Sequence, residues 1–388
     1  MKHFNGENPL LGDAVLDIEI PDLEKAFESG KVRESFWLSD HTLLLIDTDR
    51  IGAYNQPHRT VDGRRAFYTG KGKIINAFNQ MGEKIASSIM PTDYVKSTNE
   101  YWRQIPRELW PRCSFHFPAE KRVNVEAIVR TGCEGSMAKT AKEGKLLCGQ
   151  SIPADLFKGD ALEWPMFTPT SKAPKGEKDM PLTLEEYYQA IGDRDAANYI
   201  YGMSILLHLA FRGKALENML DHPDGKFEFG LFPAGLPIHG APQKDERGKI
   251  LTYDRLFRRL CSSAGFLREA WEKMPDFDFE LFCQFAEENA KTGIVRLIDE
   301  RVSTDSGRFR LWANTSMGRE VMQQGCIEQA RFLLDDFLCK EWFRTQSKLT
   351  GKGGYYADAK QIVTLDDWVL AETGRRNLTA YFWMHGND

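Results

Sequence analysis

Lys226 and Glu228 stand two residues apart in the stretch Asp224-Gly225-Lys226-Phe227-Glu228-Phe229-Gly230. In an extended chain, residues at i and i+2 project from the same face, so Phe227 and Phe229 fill the opposite, buried one. The Lys226 ammonium can hold a polyphosphate. Glu228, together with Asp299 from the later stretch Leu297-Ile298-Asp299-Glu300, offers the paired carboxylates that magnesium takes up alongside phosphate oxygens. A lysine with two strand-borne acids suggests ATP chemistry. The same heptapeptide describes equally well an edge strand with a solvated charged face.

Four further segments carry groups of the same kind. Ser29-Gly30-Lys31-Val32-Arg33 puts a glycine beside alternating basic residues, so the backbone can approach phosphates while Lys31 and Arg33 point one way; an ordinary basic strand start reads alike. Glu126 and Arg130 share a strand face and are followed by Gly135-Ser136, where arginine suits bidentate anion recognition and the turn adds donors; a half-buried strand ending in a turn fits as well. Pro165 to Asp179 is stiffened by prolines and carries Thr168, Thr170, Ser171 and Lys172, a set that suits an anionic ligand better than a scaffold. Asp299 to Phe309 places acids at a strand end, then Asp305, Ser306, Gly307 and Arg308, metal and phosphate ligands around one cleft. By contrast, Thr69-Gly70-Lys71-Gly72-Lys73 is not a P-loop: Arg65 stands where the first glycine belongs and Gly72 where Ser or Thr must follow the lysine.

The elements that must position these groups can be read from periodicity. Lys31–Leu38 and Thr42–Asp47 form a hairpin about Ser39-Asp40-His41. Residues 71–90 have helical spacing, ended by Pro91. Arg122–Arg130 is a strand, residues 151–182 an ordered loop, and Glu185–Asn218 a helix leading into the Lys226 strand. Residues 231–293 form an insertion with two helices, near 253–273 and 278–291, before the strand Ile294–Ile298. After Trp312 the chain is helical again through Arg319–Arg344.

With 388 residues the chain can bury a large core in two lobes plus an insertion. It carries 51 basic and 56 acidic residues, net charge −5, which argues against a nucleic-acid binder. No apolar run approaches the roughly 20 residues that span a bilayer, and the first residues lack a signal-peptide core. The seven cysteines include no Cys-x-x-Cys, so a reducing, cytoplasmic setting without disulfides or structural zinc is expected.

Taken in order, these segments resemble the SAICAR synthetase family, in its longer form. The family's Gly-Lys-Val-Arg is residues 30–33, and its Thr-Asp-Arg-Ile-Ser-Ala-Tyr-Asp stands here as Thr48 to Asn55. Its Glu-x-x-Val-Arg with a following Gly-Ser is Glu126, Val129, Arg130, Gly135 and Ser136. Its Phe-Thr-Pro-Ser-Thr-Lys-Ala loop is Phe167 to Ala173, with Gly-Glu-His-Asp at Gly176 to Asp179. Asp-Thr-Lys-Phe-Glu-Phe-Gly is Asp224 to Gly230, and the Asp-Glu…Asp-Ser-Ser-Arg-Phe-Trp segment stands altered at Asp299 to Phe309. The match is collinear over about residues 28–345, outside the insertion.

The resemblance implies an α+β, two-lobed fold with an ATP cleft between the lobes: residues 1–120 as the ATP-binding lobe, 121–345 as a second lobe carrying substrate and metal sites, and 346–388 as a tail packed on the core. It implies an ATP- and magnesium-dependent ligase that activates the carboxylate of carboxyaminoimidazole ribonucleotide as an acyl phosphate and joins it to L-aspartate. Gly30, Lys31, Arg33, Glu126 and Lys226 would serve ATP, and Glu228 and Asp299 would hold magnesium. Lys226 and Asp224 would act in catalysis. Arg130, Ser136, Ser171, Lys172, Asp179, Asp305, Ser306 and Arg308 would bind substrates. The chain departs from the pattern at Gly52, Asn55, Lys178, Gly225, Thr304, Gly307 and Arg310. These changes fall mostly on the substrate side, which leaves open a relative acting on another nucleotide-like acid or amine. Retention of Lys226, Glu228 and Asp299 argues against a non-catalytic nucleotide binder.

Overall fold

The computed structural model describes residues 13–311 apart from 29, 31, 54–55, 61–64, 154–155, 157–158, 174–178, 219, 241, 268–269, 300 and 304–305. Toward the C-terminus it describes 363–365, 373–374, 377–378, 381 and 384. The chain begins with β1 (Glu24–Lys25), β2 (Arg33–Trp37) and β3 (Leu43–Asp47), then β4 (Gly52–Ala53) and β5 (Gln56–Thr60), helices α1 (Lys71–Ala86) and α2 (Asn99–Arg103), and β6 (Cys113–His116). An antiparallel sheet runs β1-β2-β3-β6. The β2–β3 hairpin closes as the sequence leads one to expect: Asp40 accepts the Thr42 N–H at 3.0 Å and His41 takes a left-handed φ of 61°. Phe36, Leu44, Ile46 and Phe115 bury one face of this sheet with Ile18 and Ile20, which leaves Arg33 and Ser114 half-buried on the other.

The second half holds β7 (Lys121–Arg122), β8 (Val125–Gly132), α3 (Ser136–Lys142), β9 (Ala161–Phe167), β10 (Thr170–Ser171), α4 (Leu184–Ile191), α5 (Arg194–Glu217), β11 (Leu220–Leu231), α6 (Tyr253–Ser263), α7 (Phe279–Thr292), β12 (Val295–Ile298), β13 (Arg308–Leu311) and β14 (Val363–Leu365). β8 and β11 lie side by side at the centre of a seven-stranded sheet whose recorded pairings are antiparallel. β9 and β10 flank β8; β12 and β13 flank β11. Helix α5 is buried along nearly its whole length and packs behind the sheet, with Phe211 against Phe227. The two helices of the 231–293 segment cover α5 from outside, through Phe257 and Phe282. β14 pairs in parallel with β5.

The architecture is α+β, and several local expectations change: the helix expected near 253–273 ends at Ser263, and the Arg122–Arg130 strand is split into β7 and β8. The 151–182 stretch contains a strand, β9: Pro165 hid it, but an edge strand tolerates a proline because its N–H need not enter a ladder. The 185–218 helix is two helices. Gly192 ends α4 in the left-handed region (φ 78°) and Asp193 caps α5 by accepting from Asp195 and Ala196. Helix α1 ends at Ala86, before Pro91, where Ser87 donates back to the Glu83 carbonyl at 2.7 Å. The helix expected at Arg319–Arg344 and most of the 346–388 tail lie outside the described residues.

Candidate active site

The register of the two central strands assembles the first cluster. Lys226 of β11 pairs with Ile128 of β8, and Phe227 with Ala127, so Glu126 arrives beside the next residue of the same face. Lys226 Nζ donates to Glu126 Oε1 at 2.7 Å and to Glu228 Oε1 at 3.1 Å. Thr170 Oγ1, on β10, donates to the other Glu126 oxygen at 3.3 Å. Phe227 and Phe229 are buried on the opposite face, as alternation requires.

Antiparallel pairing of Glu228 with Ile298 puts Asp299 at the end of the neighbouring strand. Asp299 holds a left-handed φ of 61°, a conformation aspartate tolerates better than most residues but at some strain. Its Oδ1 accepts from Arg33 at 2.5 Å, and Arg33 also reaches Asp47 at 2.5 Å. Arg33 therefore ties the first sheet to the second across a cleft lined by Leu45, Asn79, Ser114 and Arg301. Arg122 lies 3.3 Å from Glu228 and 3.9 Å from Asp299, and Lys172 Nζ also donates to Glu228.

Electrostatics keeps Lys226, Glu228 and Asp299 charged. Burial opposes ionisation of Glu228, but Lys226 and Lys172 outweigh it and lower its pKa against the push of Asp299. Burial likewise opposes ionisation of Asp299, and Arg33, Lys172 and Lys226 overcome it. Lys226 is held protonated: desolvation disfavours its charge, and Glu228 and Glu126 more than restore it.

The other end of β11 carries a second cluster. Asp224 pairs with Arg130 across to β8 and with Arg308 across to β13. Its carboxylate receives Arg130 at 3.4 Å, the Arg308 backbone N–H at 3.1 Å, and the Arg308 guanidinium. Arg130 also donates to Thr168 Oγ1 at 3.0 Å and to Ser136 Oγ at 3.4 Å. Burial raises the Asp224 pKa, yet Arg308 and Arg130 bring it below the ordinary value. Two guanidiniums, the Ser136 hydroxyl and the turn at Gly135 thus converge, a set of donors that could receive an anion. Nearby, Arg212 and Asp221 form a buried pair at 2.9 Å.

The remaining sequence candidates divide. The Ser171 hydroxyl accepts the Met180 N–H at 3.0 Å and Asp179 accepts the Ala173 N–H at 2.9 Å, so these two close their own loop while Lys172 reaches the Glu228 cluster. Ser306 accepts the Ser303 N–H at 3.0 Å. The Gly30 carbonyl accepts from Arg50 at 3.0 Å, at the mouth of the hairpin. Lys31 and Asp305, like Asn55, Lys178 and Thr304, lie outside the described residues.

Comparison with known proteins decides what kind of protein carries this strand. The profile of the family described as SAICAR synthetase matches residues 26–238, more than half of the 388. The chain belongs to the SAICAR synthetase family. It is 33% identical to the phosphoribosylaminoimidazole-succinocarboxamide synthase of Geobacter sulfurreducens over 233 residues, 59% of this chain and 75% of that one. It is 29% identical to the enzyme of the same name from Maridesulfovibrio salexigens over 269 residues, 68% of this chain and 83% of that one. Among solved structures, the SAICAR synthase from Saccharomyces cerevisiae complexed with SAICAR shares the fold, with a TM-score of 0.60 at 19% identity over 96% of this chain and 98% of that one.

Within this SAICAR synthetase fold, sequence reasoning missed several groups. Arg122 was read only as the start of a strand, because nothing near it in sequence points to Glu228, 106 residues on. Arg301 was passed over as one charge among many; it is buried, pairs with Glu83 at 2.8 Å and with Asp93, and Asp93 in turn holds His116 at 2.9 Å. His208 and His222, behind the Asp224 subsite, went unnoticed. No described helix is long and apolar enough to cross a membrane.

Proposed function

We propose that this protein is an ATP-dependent carboxylate–amine ligase that makes SAICAR from carboxyaminoimidazole ribonucleotide and L-aspartate, in purine biosynthesis. Family membership supports the reaction class. The observation that carries the site assignment is the Lys226 ammonium held between Glu126 and Glu228, with Asp299 joined by Arg33 to the opposite sheet.

The carboxylate of the ribonucleotide is a poor electrophile, so it must first be activated. One of its oxygens attacks the γ-phosphorus of ATP, the bond to the β-phosphate oxygen breaks, and ADP leaves. The aspartate amine then attacks the acyl carbon, a C–N bond forms, inorganic phosphate departs with the former carboxylate oxygen, and the amine gives up a proton. Lys226 and Arg33 neutralise charge on the transferring phosphoryl group. Glu228 and Asp299 suit a hard divalent cation: both are held ionised, and both lie within reach of the single Arg122 guanidinium. Magnesium bound there would supply charge neutralisation at the phosphate oxygens.

The Arg130–Asp224–Arg308 cluster receives the ribonucleotide, Arg308 at its phosphate. Asp224, ionised and bound to two guanidiniums, orients them rather than accepting a proton. Lys172 sits between the two functions, on the ATP end by contact and on the substrate loop by sequence.

The test is ADP release by the purified protein with magnesium-ATP and carboxyaminoimidazole ribonucleotide, with and without L-aspartate. Aspartate-dependent release with a succinocarboxamide product is the expected result. Release indifferent to aspartate, or to the ribonucleotide, would overturn the assignment.

A further inference from the structure

The strand pair that carries Arg308 is broken where Arg308 sits. β11 and β13 are in register at Asp221–Arg310 and again at Asp224–Arg308, so His222 and Pro223 together face the single residue Phe309. This is a β-bulge. Pro223 has no N–H to give to the ladder. The structure makes up the loss with side chains: Asp224 accepts the Arg308 N–H at 3.1 Å, and His222 Nδ1 lies 2.8 Å from the Arg308 carbonyl oxygen. A carbonyl only accepts, so Nδ1 is the protonated nitrogen of His222. The backbone of Arg308 is thus clamped from both sides by side chains of β11.

His222 is buried, 1% exposed. Its ring stacks on Phe309 with centroids 4.6 Å apart and lies 5.1 Å from the ring of His208 on α5. His208 is in turn within 3.0 Å of Thr131 Oγ1. Burial pushes both imidazoles below the ordinary histidine pKa, so each is neutral and neither competes with Arg308 for the charge of Asp224. Two glycines make the arrangement possible. A Cβ on Gly307 would lie 2.4 Å from His222 Cε1 and 2.5 Å from the Asp224 carbonyl oxygen; one on Gly225 would lie 3.0 Å from His208 Nδ1 and 3.3 Å from His222 Nε2. These are two of the positions at which the chain departs from the family pattern, so the glycines and the buried imidazole form one set.

We propose that His222 is a positioning residue of the anion subsite: through its Nδ1–H it fixes the Arg308 carbonyl at the bulge, and so aims the Arg308 guanidinium, seated on Asp224, at the phosphate of the ribonucleotide. Gly225 and Gly307 are the clearance this imidazole requires. The inference rests on Arg308 contacting the ribonucleotide, and the experiment separates the two.

Steady-state kinetics on the full-length enzyme, with carboxyaminoimidazole ribonucleotide and ATP varied in turn, is run on His222→Leu, His222→Asn, Gly307→Ala and Arg308→Ala. His222→Leu should raise the ribonucleotide KM about tenfold, the effect of one lost hydrogen bond on an aligned group, with the ATP KM within about twofold of wild type. His222→Asn keeps an N–H donor near the place of Nδ1 and should recover most of the loss. Gly307→Ala pushes on the ring from the other side and should act like His222→Leu; it carries the test if His222→Leu does not fold. A merely destabilised enzyme would lose kcat through its active fraction without a change in KM. If Arg308→Ala leaves the ribonucleotide KM unchanged, the subsite reading falls and this inference with it. If Arg308→Ala raises it and both His222→Leu and Gly307→Ala do not, His222 has no positioning role.

Discussion

One strand, β11, serves two kinds of electrostatic site, and its ends differ in how their charges are held. At the Lys226–Glu228 end the charges are shared and, apart from the buried Glu228, partly wet. Glu228 is approached by Lys226, Lys172 and Arg122, Asp299 by Arg33 and Arg122, and the side chains of Lys226, Lys172 and Asp299 are about a third exposed. At the Asp221–Asp224 end the charges are dry and committed. The Asp221, Asp224, Arg212, Arg308 and Arg130 side chains are each a tenth exposed or less. Solvated, redundantly paired ions exchange partners at little cost, whereas separating a buried pair leaves an unpaired charge out of water. The first end can therefore trade its internal partners for phosphate and metal. The second is a fixed frame, which on the proposed assignment receives a substrate anion.

The contrast can be broken most decisively at the wet end. Lys226→Ala and Asp299→Asn should each lower kcat by about a thousandfold or more, while the melting temperature moves by only a few degrees. Asparagine is the informative change at 299 because it, too, accepts a positive φ. A loss of activity matched by an equal loss of fold in either variant would mean that the wet cluster is structural after all.

At the dry end the order of effects reverses. Asp221→Ala leaves the Arg212 guanidinium buried without its carboxylate and should cost about 3–5 kcal/mol in urea unfolding, with the ATP KM of the remaining folded enzyme unchanged. Stability within about 1 kcal/mol of wild type would place this pair among the exchangeable ones.

The smallest effect is one of pH. His208 and His222 have pKa values lowered by burial, so the unfolded chain takes up their protons first. The stability they lend is complete above about pH 6.5 and declines below it, by up to about 1.4 kcal/mol per pH unit for each histidine. Asp224, Glu228 and Asp299 are lowered as well; their contribution is complete above the ordinary carboxylate range, about pH 4–4.5, and is lost only under stronger acid. Urea unfolding of His222→Asn between pH 7.5 and 5.5 should show a shallower decline than the wild type. Parallel declines would show that His222 is not held neutral in the fold.

How much of this could be read from sequence follows the same division. Lys226, Glu228, Phe227 and Phe229 sit on a regular stretch of strand, where alternation assigns faces without ambiguity, and the structure gathers Glu228 and Asp299 near Lys226 as that reading suggests, whereas Glu126 joins them only through the pairing of β8 with β11. His222 lies in the bulge. Straight alternation puts it on the face of Asp224, and the extra residue turns it instead toward His208 on α5. Arg122 and Arg301 were illegible for a different reason: their partners stand 106 and 218 residues away, and a lone arginine in a sequence gives no sign of which carboxylate it will meet. β9 was hidden by Pro165, whose meaning depends on being at a sheet edge. The α4–α5 break was missed although Gly192-Asp193, a helix stop followed by a cap, carries its signal.

The central claim is that the Lys226–Glu228–Asp299 end of β11 takes up nucleotide together with magnesium. Calorimetric titration of ADP into the wild type and into Asp299→Asn, each with and without magnesium, tests it most directly. The account predicts that magnesium tightens ADP binding by about tenfold or more in the wild type and that most of this enhancement is lost in Asp299→Asn, since one of the two carboxylates that would hold the metal is gone. An equal enhancement in both proteins would place the metal elsewhere and contradict the account.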